Sequence, residues 1–198
     1  MTVPIDTDAL RAEWDEHRSV ADDAAALLPT VEDMARALID ALGRGGKLIV
    51  FGNGGSAADA QHFAGELLGR FRESRRPLPA ISLSTDPSVV TCIANDFGYD
   101  DLFARQVEAL AGPDDVVIGI TTSGQSENVV RGLGAAAAVG ARTMAWTGAD
   151  PGPAGAAATM SLAVPSRTTA RIQEMHTLAM HVICVAVDAW VARAEEAG

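Results

Sequence analysis

Five short apolar runs constrain this chain more than any other feature. Lys47–Phe51, Ala80–Leu83, Val116–Ile120, Arg142–Trp146 and Thr159–Val164 each read as a strand, with helical or loop segments between them. Runs that are continuously apolar, not alternating, suit strands covered on both faces. Strands and helices that alternate build a parallel sheet with helices on either side. The expected fold is therefore α/β: a three-layer sandwich around a five-stranded parallel sheet, with its sites at the C-terminal strand ends.

Helices are expected over Ser56–Gly69, from Asp86-Pro87 to about Ala94, and over Asp100–Ala111, Glu127–Val139 and Thr168–Glu196. Gly148–Ala158 reads as a Gly/Pro/Ala-rich connection with room for one short helix. Ahead of the first strand, Leu10, Trp14, Val20, Ala24 and Leu27 form a stripe on a helix over Thr7–Leu28. Pro29 is expected to break that helix. Thr30-Val-Glu-Asp33 is expected to cap a second one that ends before Gly45-Gly46. Two helices here exceed what an α/β unit needs, so their apolar faces must be buried on the sheet or on another subunit; we favour the subunit. The chain is read as one domain, 1–198, with a helical extension over 1–44 and an α/β core over 45–198.

With 198 residues, 48% of them hydrophobic, the chain can bury one sizeable core. A net charge of -11 argues against the basic surface of a nucleic-acid binder. It leaves room for a small anion, because amides and hydroxyls can hold a phosphate without excess lysine. Cys92 and Cys184 form no C-x-x-C pair, so no disulfide framework is expected and a reducing cytosol fits. Residues 1–6 lack the basic and apolar regions of a signal peptide. No uninterrupted apolar run approaches a membrane-spanning length. The expectation is a cytoplasmic protein with no membrane or nucleic-acid partner.

Two loops and two helical pairs carry the chemistry. Gly52-Asn-Gly-Gly-Ser56 follows a strand and opens a helix, where glycines let the backbone approach a ligand. It lacks both the G-x-G-x-x-G spacing and the Gly-Lys-Ser/Thr of a P-loop. Taken alone it is equally a tight turn with Ser56 as helix cap. Thr121-Thr-Ser-Gly-Gln-Ser126 also joins a strand to a helix and offers four hydroxyls in six residues. Two such loops together favour a phosphate cradle. His62 and Glu66, four apart, share one helix face; Gln173 and His181, eight apart, share another. Each pair is either a set of ordinary helix residues or half of a metal site. Imidazole and carboxylate suit zinc, and an amide oxygen is a weaker ligand. His176 overlaps only partly with the direction of Gln173 and His181. His17 reads as a surface residue, Asn95-Asp96 as a helix end and turn, and Arg70 and Arg72 as helix-terminal charges.

These motifs, in this order, resemble the phosphoheptose isomerases of the sugar isomerase (SIS) superfamily. The resemblance is carried by Gly52-Asn-Gly-Gly-Ser56, His62-Phe-Ala-x-Glu-Leu-x-Gly-Arg-Phe71, Asn95-Asp-Phe-Gly-Tyr99, Thr122-Ser-Gly-x-Ser126 and Arg171-Ile-Gln-Glu-x-His176-x-x-x-x-His181. It spans nearly the whole chain. It implies an SIS fold whose N-terminal helices serve oligomerisation, and a homotetramer with active sites between subunits. The substrate it implies is a phosphorylated heptose: sedoheptulose 7-phosphate is converted to D-glycero-D-manno-heptose 7-phosphate. By resemblance, His62, Glu66, Gln173 and His181 are zinc positions, one Zn²⁺ per subunit, and Glu66 and His181 are the acid/base pair. Asn53, Gly54, Gly55, Ser56, Glu66, Asn95, Asp96, Thr121, Thr122, Ser123, Ser126 and Gln173 are substrate-contacting positions. The chain departs from the common pattern at Thr121, where serine is frequent, at Gly65, often glutamate, and at Ala170, aspartate in some members.

Exchange of ketose and aldose runs through an enediol. It needs a base for a carbon-bound proton and an acid for the carbonyl oxygen. A carboxylate and an imidazole can fill those roles, which assigns Glu66 as base and His181 as acid, with zinc assisting. Two alternatives remain at this level. One is a non-catalytic SIS protein that binds phosphosugars or associates with a replication initiator; the other is an isomerase of a different phosphosugar. Retention of His62, Glu66, Gln173 and His181 speaks against the first.

Overall fold

In the computed structural model, which describes Val3 and residues 5–196, the strands β1 (Leu48–Gly52), β2 (Ala80–Ser82), β3 (Val116–Thr121), β4 (Arg142–Thr147) and β5 (Met160–Ala163) form one parallel sheet in the order β2-β1-β3-β4-β5. Met1, Thr2 and Pro4, part of the stretch read for a signal peptide, lie outside the described residues, as do Ala197 and Gly198. Each expected strand is present within one or two residues.

The strands are apolar throughout because the two sides of the sheet have separate cores. Leu48 and Val50 of β1 face one side, with Val116, Ile118, Met144 and Trp146, under α2 (Leu28–Gly43), α3 (Gly55–Leu68) and α8 (Thr169–Glu196). Ile49 and Phe51 face the other, with Val117 and Ala145, under α4 (Pro87–Asp96), α5 (Leu102–Leu110), α6 (Glu127–Ala138) and the short α7 (Gly152–Ala156). Alternate β1 residues thus feed opposite layers, as the pleat requires.

Strand order sets where the site lies. From β1 the chain passes to β2 on one side, then returns across β1 to add β3 on the other. The crevice at such a reversal, outside the carboxyl ends of β1 and β3, is where ligands bind in open α/β sheets. The register puts Gly52 opposite Ile120, so the two Ser/Gly loops leave the sheet side by side.

The N-terminal helices differ from expectation in two ways. Pro29 opens α2 instead of breaking a helix, since a first-turn proline loses no intrahelical hydrogen bond, and Thr30 lies inside the helix, not at its cap. The apolar face of α2 is buried on the chain's own core: Val31, Met34, Ala35, Leu38, Ala41 and Leu42 pack under α8 and the sheet. Only Val20 of α1 (Thr7–Ala24) is buried, while Leu10 and Trp14 of the expected stripe are 55% and 72% exposed.

By length and composition α8 is apolar enough to cross a membrane. Half of its most apolar window is buried inside the protein, where Met180, Ile183, Cys184, Val187 and Val191 belong to the core shared with α2 and α3. It is a core helix. Cys184 is buried and Cys92 exposed, and both thiols are free.

His176 of α8 is fully buried against Trp146, with Nε2 3.1 Å from the Thr147 carbonyl. Burial holds its pKa down to about 4, against the pull of that hydrogen bond. An unfolded chain accepts this proton near pH 6.5. The stabilisation from the neutral, buried ring is therefore complete above pH 6.5 and is lost as the pH falls towards 4. We expect it to account for a loss of about 3 kcal/mol across that window. Urea unfolding at successive pH values would measure this, and a His176→Gln chain should show a flatter dependence.

Candidate active site

Two loops and two helices meet at the β1/β3 crevice. Asn53, Gly54, Gly55 and Ser56 from the first loop, Thr121, Thr122, Ser123 and Ser126 from the second, and Thr169 and Gln173 of α8 line one cleft of ≈ 300 Å³. All four hydroxyls of the second loop line it. Gly54 has φ +57, a backbone state that glycine adopts without strain. A Cβ on Gly55 would collide with the Gln173 amide, so this glycine lets α8 approach the start of α3. Ser56 is buried within the first turn of α3 and does not cap it. The amides at the starts of α3 and α6 present partial positive charge here, suited to an anion.

The second loop is braced internally. Thr121 Oγ1 lies 2.9 Å from Ser126 Oγ and 3.3 Å from Ser123 Oγ, and the Gln125 backbone N–H donates to Ser123 Oγ at 3.1 Å. Asn53 ties the loops together. Its amide exchanges two hydrogen bonds with buried Asn128 of α6, at 2.9 and 3.0 Å. The Tyr99 hydroxyl donates to Asn53 Oδ1 at 2.8 Å. Sequence reasoning missed Asn128 and Tyr99 as site residues, and no local signal marks Asn128. Asn95 and Asp96 form the last turn of α4, exposed and hydrogen-bonded to each other at 2.6 Å. They do not line the cleft; Tyr99, just beyond them, contacts it through Asn53.

α3 and α8 follow strands of one parallel sheet and pack on the same face, so they run in the same direction. They meet in three successive contacts. Gly55 faces Gln173. One turn on, Thr177 Oγ1 donates to Asp59 Oδ1 at 3.2 Å. About one turn further, His62 and Glu66 of α3 meet His181 of α8. The donor atoms of these three residues all lie within 4.8 Å of one another. His62 Nε2 is 2.9 Å from Glu66 Oε1, and the His62 and His181 rings pack edge to face at 5.1 Å. Two imidazoles and a carboxylate so placed are a zinc-type donor set. Gln173 stands eight residues before His181, roughly 12 Å of helix rise, with its amide against Gly55 at the cleft end of the site.

Electrostatics distinguish the members of this column. Burial lowers the His181 pKa, helped by His62 and Arg72 and opposed by Glu66; the net shift favours the neutral ring. Burial raises that of Asp59 despite the Thr177 hydrogen bond and the nearby His62. His17 is half-buried, not free on the surface, with Nδ1 2.7 Å from Glu174 Oε2. Arg70 and Arg72 lie beyond the end of α3, which stops at Leu68.

The SIS domain family model matches residues 16–148. The phosphoheptose isomerase of Aquifex aeolicus is 53% identical over 161 residues, covering 81% of this chain and 84% of that protein. Among solved structures, a phosphoheptose isomerase from Francisella tularensis superposes with a TM-score of 0.90 at 36% identity, over 94% of this chain and all of that one. The phosphoheptose isomerase GmhA from Neisseria gonorrhoeae gives 0.88 at 38% identity, over 92% and 98% of the two chains.

Proposed function

The chain belongs to the phosphoheptose isomerases of the SIS-domain family, and from that premise we propose that it converts sedoheptulose 7-phosphate to D-glycero-D-manno-heptose 7-phosphate through an enediol. One observation carries the reading: the column along α3 and α8. A hydroxyl- and amide-lined cleft lies at its start and the His62/Glu66/His181 cluster about two helical turns further on. A sugar phosphate stretched along that column has its phosphate in the cleft and its carbonyl end at the cluster.

Glu66 removes a proton from C1 of the ketose while His181 gives one to the C2 oxygen, forming the enediol. Return of a proton to C2 and loss of one from the C1 hydroxyl leaves the aldose. The proton comes from the charged form of the His181 imidazole, which its lowered pKa makes the readier donor. Binding energy at the phosphate is spent on holding the reacting carbons in place. His62, Glu66 and His181 would hold zinc, which would polarise and orient the sugar oxygens there; Gln173, the fourth donor that the family pattern implies, has its amide against Gly55 at the other end of the column. In the cleft, Asn53, Gly54, Gly55, Ser56, Thr121, Thr122, Ser123, Ser126 and Gln173 hold the phosphate and lower sugar hydroxyls; Asn95 and Asp96, which the family pattern also implies as substrate contacts, lie outside this cleft.

In this reading residues 1–198 act as one SIS unit in the cytosol, assembled as a homotetramer with sites between subunits. The open groove between α1 and α8, lined by exposed Leu10 and Trp14, supports such an assembly. Light scattering giving a monomer mass would remove it.

Incubating the purified protein with sedoheptulose 7-phosphate, before and after complete metal removal, tests the reading. Aldose formation that stops on chelation and returns with Zn²⁺ is expected. No product would leave a phosphosugar-binding protein instead, and full activity without metal would discard zinc. Ser123→Ala should raise KM for the phosphosugar about tenfold, the worth of one hydrogen bond to a charged group, with little change in kcat. An unaltered KM would count against the loop as the phosphate site.

A further inference from the structure

The segment after α3 is held by a buried ion pair that the reaction itself does not use. Arg75 and Asp188 of α8 are 2% and 6% exposed, with Nε 2.8 Å from Oδ1. The other Asp188 oxygen accepts from the amides of Arg72 and Glu73, at 3.1 and 3.2 Å. Arg75 also donates to the carbonyls of Glu66 and Leu67, at 2.7 and 2.9 Å. One ion pair therefore grips the end of α3, the following segment and α8 together.

What that grip presents to the site is Phe71. Its ring lies over His181, centroids 5.3 Å apart and planes inclined by 20°, while the Arg72 guanidinium covers it at 5.0 Å. The His62 ring packs nearly at right angles to the same imidazole, 78° between planes. The His181 ring is thus held on its face by Phe71 and bounded by His62. Rotation about its Cβ–Cγ bond would break the stack. Offset stacking of this kind biases a ring between orientations.

We propose that Phe71 is a positioning residue, held in place by Arg75 and Asp188, that fixes the plane of the His181 imidazole and so the direction in which its ring nitrogen faces the sugar. It does not touch the reacting atoms. The proposal rests on the reading of His181 as the acid, and its tests separate the two.

Three full-length chains are needed: wild type, Phe71→Leu, which keeps apolar bulk but loses the flat face, and Phe71→Tyr, which restores it. With sedoheptulose 7-phosphate, kcat of the Leu chain should fall roughly tenfold or more, because a misaimed proton donor is costly. Its KM should stay within about twofold of wild type, since the phosphate cleft is untouched. The Tyr chain should recover most of the kcat. Proton NMR of metal-free protein gives the readout that needs no turnover. Wild type should show cross-relaxation between the Phe71 and His181 rings, and the His181 ring protons should lose their ring-current displacement in the Leu chain. If wild type fails to turn over the sugar, the functional reading falls, while the NMR result still decides the stacking. Wild type lacking the ring–ring contact, or a Leu chain with unchanged kcat, overturns the proposal. So does a Tyr chain as impaired as the Leu chain.

Discussion

Replacing Glu66 by Gln is expected to cut turnover of sedoheptulose 7-phosphate by about a thousandfold, the usual scale for removing a general base. The amide keeps the size of the side chain and its place against His62, where the two now sit 2.9 Å apart. KM should move little, because the cleft at the start of α3 and α8 is about two turns away. Zinc content measured on the same sample separates two ways of losing activity. A chain that retains zinc but not turnover has lost its base; one that loses both has lost a ligand. A Glu66→Gln chain with near wild-type kcat would end the assignment.

Asp188→Ala should destabilise the protein by about 3–5 kcal/mol, because it strands the buried Arg75 guanidinium without a counter-charge. Burial pushes the Asp188 carboxyl up, but hydrogen bonds from Arg75 and the Arg72 and Glu73 amides outweigh it and hold the pKa below the usual range. The ionised form is thus the one the fold uses. Urea unfolding would read the loss directly. Exchanging both partners for apolar residues of similar volume should cost far less stability, as buried ion pairs seldom outperform good packing. That double variant would still release the segment carrying Phe71, so it separates a stability role from a positioning one. A fall of under about 1 kcal/mol in the single variant would show that Arg75 is not held as described.

Much of this was legible in the chain because it is local. The five strands are short apolar runs, and each appears within one or two residues of its expected place. The Gly52–Ser56 and Thr121–Ser126 loops advertise themselves by composition. His62/Glu66 can be paired on a helix face by counting. Pro29 was misread because a proline that ends one helix and a proline that opens the next look alike without the backbone around them. The paired asparagines, Tyr99, and the grip of Arg75 and Asp188 on Phe71 were not legible, since each joins residues far apart in the chain with no periodic signature. Asp188 and Arg75 are 113 residues apart.

By itself, then, the sequence determined the elements, the two hydroxyl- and glycine-rich turns and the residue types available for proton transfer and metal binding, because backbone propensity and hydrophobic period act over a few residues. Tertiary structure decided which of them meet. The order β2-β1-β3-β4-β5 makes β1 and β3 neighbours and so brings the two loops to one crevice. The parallel packing of α3 on α8 then aligns Gly55 with Gln173, Asp59 with Thr177, and His62 and Glu66 with His181. Neither outcome is encoded in any local window. Both follow from burying two apolar helix faces on one side of a twisted sheet, where the connections leave few arrangements that close the core.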